Sequence, residues 1–336
     1  HFHDTQLRDN PPAARGGGSS FIEASNPYSF QQHDYDKSRP ENEVFLERVR
    51  DLLNEYDART SVGEVGDEGR SYDTVAAYTR GGKRLHMAYT FDLLADQFSA
   101  DFIRATIERI EDKVSEGWVC HSFSNHDVTR HVTRWAREGV PATHLAKFCI
   151  SLLTSLRGTL CLYQGEELAL PEADIAYEDL TDPYGIRFWP GFKGRDGCRT
   201  PMVWEGEARF GGFSDTNAVK PWLPVPDAHL PLAVDQQQPG GVLDHYRAAI
   251  AHRQGDQALL KGDIAFLDTP KDMLAFTRSY DGARRLCVFN FAMTPQEMAV
   301  EDGVLSPFPT AAGQVATLEA GVLTVPGYGF GLLTLR

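Results

Sequence analysis

Arg59-Thr60-Ser61-Val62-Gly63-Glu64-Val65 is the stretch on which the fold reading turns. It follows a helical apolar pattern and is β-branched enough for a buried strand. It ends on one carboxylate, Glu64, before a loop rich in glycine and acid. A second segment repeats the design: Trp118-Val119-Cys120-His121-Ser122-Phe123, then Ser124-Asn125-His126-Asp127. Each strand delivers a carboxylate at its C-terminal end, where the chemistry of a parallel α/β barrel sits. Two carboxylates flanking one bond are the equipment of glycoside hydrolysis.

Upstream of Glu64, residues 9–40 read as loop, with Gly16-Gly17-Gly18-Ser19-Ser20 inside them. Ser38 and Glu41 have capping-box spacing and Pro40 falls in a first helical turn. Phe45, Val49, Leu52, Leu53 and Tyr56 recur at helical spacing, which predicts a helix with one face on a core. Downstream, the pattern predicts a short helix over 71–80, a strand over 84–91 and an amphipathic helix over 100–116. Phe102, Ile103, Ile107, Ile110 and Val114 of that helix point inward. A strand over 118–123, a more apolar helix over 142–157 and a strand over 159–163 follow. Alternation of helix and strand is the parallel α/β pattern.

Residues 165–235 form a long irregular insertion, of the kind that is usually functional. A helix is expected over 241–254. Beyond about residue 260 the period changes to short antiparallel strands, at 273–277, 286–291, 315–318, 323–325 and 330–335. The division expected is therefore 1–255, part of a (β/α)8 TIM barrel, and 256–336, an all-β sandwich domain. Only four βα units are visible where such a barrel needs eight. The expectation is that the chain holds the C-terminal half of the barrel.

The 336 residues carry a net charge of −14, which argues against nucleic acid and anionic membranes as partners and suits a neutral ligand. No stretch approaches a membrane span. Cys120, Cys149, Cys161, Cys198 and Cys287 are odd in number and scattered. They favour a reducing compartment, read here as cytoplasmic. Cys120, His121, His126 and His131 lack paired ligand spacing, and alternation would send Cys120 and His121 to opposite faces. No metal and no cofactor are expected.

Four stretches resemble glycoside hydrolase family 13, the α-amylase superfamily, and within it the bacterial α-glucosidases near oligo-1,6-glucosidase. Val62-Gly63-Glu64-Val65 resembles the region of the acid/base glutamate, and Phe123-Ser124-Asn125-His126-Asp127 that of the third carboxylate. The run Leu162-Tyr163-Gln164-Gly165-Glu166-Glu167-Leu168 is similar to the segment after the last barrel strand. Gly194-Arg195-Asp196-Gly197-Cys198-Arg199-Thr200-Pro201-Met202-Val203-Trp204 is similar to the GRDGxRTPMxW signature of the α-glucosidase branch. The resemblance implies that His1-Phe2-His3-Asp4 follows the strand of the nucleophile, which would then lie before His1. Asp4 is a weak substitute, because its flanks match the segment after that strand.

The resemblance implies catalytic roles for Glu64, as acid and then base, and for Asp127, in stabilising positive charge. His126, Arg195, Arg199 and Glu167 would meet an oligosaccharide or other α-glucoside. Each also has a purely structural reading: Glu64 as a solvated loop acid beside Asp67 and Glu68, Asp127 as a helix cap. Arg195 and Arg199 could instead pin the long loop by pairing with Asp196 or nearby acids. Trp204, Trp189 and Phe188 could stack on sugars or form the core of that loop. The activity implied is a retaining exo-α-glucosidase acting on maltose or isomaltose. A transglucosylase or sucrose isomerase is the alternative within the family, and a non-catalytic amylase-like scaffold the alternative outside enzymes.

Overall fold

The computed structural model describes residues 4–12, 27–67, 69–214, 220–300 and 302–336. The glycine-serine stretch at 16–20 lies outside them. The chain divides into two compact units, His1–Asp92 with Ile107–Cys120, and Leu93–Thr106 with His121–Arg336.

The first unit runs α1 (Pro40–Asn54), β1 (Val62–Val65), α2 (Ser71–Thr79) and β2 (Met87–Thr90), joined by the second half of α3 (Ala100–Lys113). β1 and β2 are parallel, with Glu64 opposite Tyr89, and Ala88 bridges in parallel to Val119. Val65, Val75, Ala88, Ile107, Ile110, Val114 and Val119 are buried. The periodic residues of α3 thus fill the core as their spacing implied.

Two expectations for this unit fail. Ser38 does not cap α1: its backbone is left-handed at φ 53°, Arg39 is the N-cap residue, and no side chain bonds there. Pro40, with its φ preset for a helix, opens α1 instead. Nor does the apolar face of α1 turn inward. Val44, Phe45, Leu52 and Tyr56 are exposed, whereas Asn42 is buried and donates to the Tyr78 hydroxyl at 2.7 Å. The helix is fastened by its polar side, where Arg84 pairs with Glu43 at 2.7 Å and Glu47 at 3.1 Å. β1 is likewise buried through Val65 alone, with Val62 half exposed.

β3 (Cys120–His121) straddles the boundary between the units. The second unit continues with α4 (His131–Arg134), α5 (Ala142–Ser155), β4 (Thr159–Leu160), α6 (Pro183–Phe188), α7 (Val242–Gln254) and α8 (Gln257–Lys261). The strands near 84–91, 118–123 and 159–163 are shorter than their apolar runs suggested, because only Met87–Thr90, Cys120–His121 and Thr159–Leu160 keep ladder pairing. The described residues of 165–235 form short 3-10 turns around α6 and small cores, one of Leu168, Leu170, Met202, Val203 and Ala233. Trp189 packs beside Ile175, Leu180 and Leu223, and Phe188 stacks on Tyr184, so both serve the loop's own packing. Trp204 stays half exposed.

The C-terminal part is antiparallel. β5 (Asp263–Phe266), β6 (Met273–Tyr280), β7 (Ala283–Asn290), β12 (Phe330–Leu335) and β9 (Gly303–Leu305) form one sheet in the order β5-β6-β7-β12-β9. β8 (Gln296–Ala299), β10 (Thr317–Glu319) and β11 (Val322–Val325) form a second, ordered β10-β11-β8. Met273, Val288, Leu323, Val325 and Leu333 fill the core of this region.

The end of α5 is held by two buried arginines. Arg253 donates to the carbonyls of Thr154 at 2.6 Å, Leu156 at 2.8 Å and Gly158. Arg278 donates to Ser155 at 2.7 Å, and the His121 ring meets the Arg157 carbonyl at 2.7 Å. A helix leaves its last carbonyls without partners, and here cations supply them. No helix among the described residues is long and apolar enough to cross a membrane.

Candidate active site

Glu64 stands in β1 of the first unit, exposed at the strand's C-terminal end. The Tyr89 hydroxyl, opposite it in the parallel register, donates to Glu64 Oε1. Its neighbour Asp67 is not a solvated loop acid. It is buried and accepts from Thr74 Oγ1 at 2.7 Å and Arg70 at 3.2 Å, while its carbonyl takes the Ser71 hydroxyl at 2.8 Å. Asp67 therefore ties down the start of α2, and Glu64 alone of the two faces solvent. Glu68 lies outside the described residues.

Asp4 has no freedom to attack anything. It is buried, with the Arg8 side chain donating twice to its carboxylate (2.9 and 2.8 Å), the Arg8 N–H once (3.3 Å) and Arg39 once (3.1 Å). The Arg8 hydrogen bond outweighs burial and holds the Asp4 carboxyl well below the ordinary range.

In the second unit Asp127 follows the β3 segment, in the turn before α4. Its N–H donates to Asn125 Oδ1 at 2.9 Å, which fixes the turn. Two guanidinium groups converge on Asp127 Oδ1: Arg195 Nη1 at 2.9 Å and Arg199 Nη2 at 2.8 Å. Arg199 Nε also donates to the His126 carbonyl at 2.6 Å, and the His126 ring lies 3.7 Å from Asp127 Oδ1. Asp127 Oδ2 accepts no hydrogen bond among the described residues, and the side chain remains partly open to solvent. The result is a carboxylate of fixed direction with one oxygen available, beside an exposed imidazole. Such a pair can accept from and donate to adjacent hydroxyls of a bound sugar.

Arg195 takes its orientation from Asp182, a residue that sequence reading did not single out. Arg195 donates to Asp182 through N at 2.8 Å, Nε at 2.9 Å and Nη2 at 3.0 Å. The Asp182 side chain is fully buried, and it also receives the Tyr184 N–H at the start of α6. Burial would raise the Asp182 carboxyl, yet the bonds from Arg195 leave it below its ordinary value. The loop-pinning partners expected for Arg195 were Asp196 or nearby acids, and the nearby acids Asp182 and Asp127 take that place. Asp196 instead accepts the N–H groups of Thr181 at 2.6 Å and Asp182 at 2.8 Å.

Glu167 is not joined to this network. Its Oε2 accepts the Gly165 N–H at 2.8 Å, within its own turn, and burial raises its carboxyl. Glu166 is more deeply buried and accepts the Tyr163 N–H at 3.0 Å; burial, reinforced by Glu167, pushes its carboxyl up to about 8. Arg130 was also missed. It donates to the Gln164 carbonyl at 2.7 Å and the Cys198 carbonyl at 2.9 Å, bolting the segment after β4 to the Gly194–Arg199 motif. Nothing in its sequence surroundings marks it. The His131 ring is buried against the Ser124 hydroxyl at 3.2 Å and the His121 ring against Arg157, so both are committed to the protein.

Comparison with known proteins places this geometry. The family model described as "Alpha amylase, catalytic domain" matches residues 8–262. The chain belongs to the α-amylase family of glycoside hydrolases. A "Probable alpha-glucosidase" of Rhizobium meliloti is 49% identical over 298 residues, covering 87% of this chain and 53% of the relative. An "Oligo-1,6-glucosidase" of Halalkalibacterium halodurans is 28% identical, covering 84% of this chain and 54% of the relative. The crystal structure of an "alpha-glucosyl transfer enzyme" superposes with a TM-score of 0.89 at 44% identity, covering all of this chain and 62% of that one. A trehalulose synthase from Pseudomonas mesoacidophila, at 23% identity and a TM-score of 0.73, shares the fold. The chain thus spans about half the length of the curated relatives it matches. Its fold is that of the α-amylase family, a TIM barrel with a C-terminal β-sheet domain, although the parallel strands among the described residues do not close into a barrel.

Proposed function

We propose that the protein carrying this chain is a retaining α-glucosidase that removes terminal α-linked glucose from short saccharides such as maltose or isomaltose. In this reading residues 1–255 supply four of the eight barrel strands, and 256–336, expected as all-β but opening on the short helix α8, form the C-terminal β-domain. Glu64 protonates the leaving oxygen and then activates water. Asp127 stabilises the oxocarbenium-like transition state, and His126, Arg195 and Arg199 meet the sugar hydroxyls. The nucleophile, which must stand about 5–5.5 Å from the acid in a retaining enzyme, is supplied from outside these residues.

The observation that carries the reading is the double arginine grip on Asp127 Oδ1. A carboxylate immobilised by forked donors, with its second oxygen left open, is preorganised for charge that develops only in the transition state. The resemblance to a probable α-glucosidase supports the substrate class. The test is hydrolysis of maltose, isomaltose and a chromogenic α-glucoside by the protein carrying this chain, with the product anomer followed by NMR. Glu64→Gln should lower turnover by roughly 10²- to 10⁴-fold. Unchanged turnover in the variant would remove Glu64 from the mechanism, and no turnover by the parent would leave the scaffold reading standing.

A second reading is favoured by the similarity to an α-glucosyl transfer enzyme. The same double displacement would then pass glucose to an acceptor hydroxyl instead of water. Product analysis in the presence of an acceptor sugar separates the two: transfer products in excess of free glucose would favour transfer.

A further inference from the structure

We infer that Asp182 is a positioning residue for the reaction, acting through Arg195 to fix the direction of Asp127. The inference rests on the functional reading above for its kinetic consequence and on the geometry alone for its structural one.

Arg195 has three nitrogens in its guanidinium. Nε and Nη2 are taken by the two oxygens of Asp182, and Nη1 reaches Asp127 Oδ1. A guanidinium is planar and rigid, so gripping one edge of it determines where the remaining nitrogen points. The Asp182 carboxylate is fully buried, so it is not itself available to a ligand. Its contribution must pass through the arginine.

Asp182 is in turn held against movement. Asp196 Oδ2 accepts the Asp182 N–H, while Asp182 Oδ2 accepts the Arg195 N–H, so the two loop strands clasp each other in both directions. The approach is close enough to demand glycine on both sides. A Cβ on Gly185 would lie 2.4 Å from the Lys193 carbonyl oxygen. Gly194 has φ +81°, and a Cβ there would lie 2.8 Å from the Gly185 Cα. The Tyr184 ring, 5.2 Å beneath the Arg195 guanidinium, adds a cation–π contact. The Gly194-Arg195-Asp196 run thereby becomes one device: a glycine for approach, an arginine for Asp127 and an aspartate to hold the residue that aims the arginine.

The test uses the protein carrying this chain and the variants Asp182→Asn, Arg195→Lys and their double. Asparagine keeps an acceptor at the α6 cap but sets an amide donor against the arginine's donors. Asp182→Asn should lower kcat/KM for an α-glucoside about 10- to 100-fold, as small misplacements of reacting groups do. Arg195→Lys, which gives up the fork, should fall by a similar factor. The double variant should be no worse than the poorer single, because the residues act as one unit. Losses that multiply, or Asp182→Asn within about twofold of the parent, overturn the proposal. Asp182→Glu, which keeps the charge but displaces it, is the alternative if Asp182→Asn does not fold, and the same loss is expected. A crystal structure of the Asp182 variant is independent of the functional reading. If the parent turns over no α-glucoside, that reading falls, and the structure decides: Arg195 released from Asp127 supports the proposal, and an unchanged bond overturns it.

Discussion

Asp196 and Asp182 stand in a reciprocal arrangement: the carboxylate of Asp196 accepts the backbone N–H of Asp182 at 2.8 Å, and the carboxylate of Asp182 accepts the N–H of Arg195, the residue next to Asp196, at 2.8 Å. Removing Asp196 leaves the N–H groups of Thr181 and Asp182 without their partner, the second of them buried. Asp196→Ala should therefore cost about 2–3 kcal/mol, each orphaned donor contributing about 1 kcal/mol or more. The midpoint of urea unfolding measures it. A loss below about 0.5 kcal/mol would mean that water or a shifted loop replaces the clasp.

Arg253 covers three carbonyls at and beyond the end of α5, from a side chain that is itself buried. Arg253→Met keeps the stem and removes the donors, and roughly 3 kcal/mol of stability should go with them. Arg253→Lys should recover less than half of that, since one ammonium cannot span carbonyls spread over five residues. Thermal melts of the three proteins give the order parent, lysine, methionine; parity of the first two would refute the fork argument.

Glu166 provides a pH signature. Its folded-state value of about 8 lies above the ordinary 4.5, so the unfolded chain binds fewer protons between these limits and stability falls as pH rises through them. Glu166→Gln, which mimics the neutral acid, should gain on the parent by up to about 1.4 kcal/mol per pH unit over that window and run parallel below it. The buried histidines act in the opposite sense. Burial lowers His121, His229 and His245 to about 4. Each stabilises the fold above its unfolded value of about 6.5 and loses that contribution as pH falls towards 4. Melting temperature against pH, for parent and variant, reads both effects.

Tyr89→Phe removes the hydroxyl that donates to Glu64 across β1 and β2. Losing a contact that positions the reacting carboxyl should lower kcat/KM by about 10-fold or more, with little change in melting temperature. An unaltered kcat/KM would place the tyrosine outside the catalytic arrangement.

These tests also mark where the sequence was readable. The helix–strand alternation was legible because buried faces impose a period, as Ile103, Ile107, Ile110 and Val114 do in α3. The bonds of Arg195 and Arg199 to Asp127 join two stretches, at 123–127 and 194–204, that stood out in the sequence by their resemblance to family motifs. Asp182 did not stand out, since it lies 13 residues before Arg195 in an aperiodic loop and its importance exists only through a tertiary bond. Tyr89 needed the register of β1 and β2. Ser38 was misread because capping-box spacing says nothing about φ, and its left-handed backbone cannot serve as a cap. The edge strands β5 and β8 are short and partly polar, and β9 has only three residues, so they carry no alternation strong enough to stand out.

Arg130, Arg253 and Arg278 are buried and direct their guanidinium groups at backbone carbonyls. Buried carboxylates, Asp4, Asp67, Asp182 and Asp196 among them, offset these cations, so the net charge of −14 is carried mainly by exposed residues of the outer face. A neutral sugar feels no long-range pull towards such a face, so its capture rate should be flat across ionic strength. An anionic glucoside, a glucosyl phosphate for instance, would be turned away in dilute buffer and admitted more readily as salt screens the field.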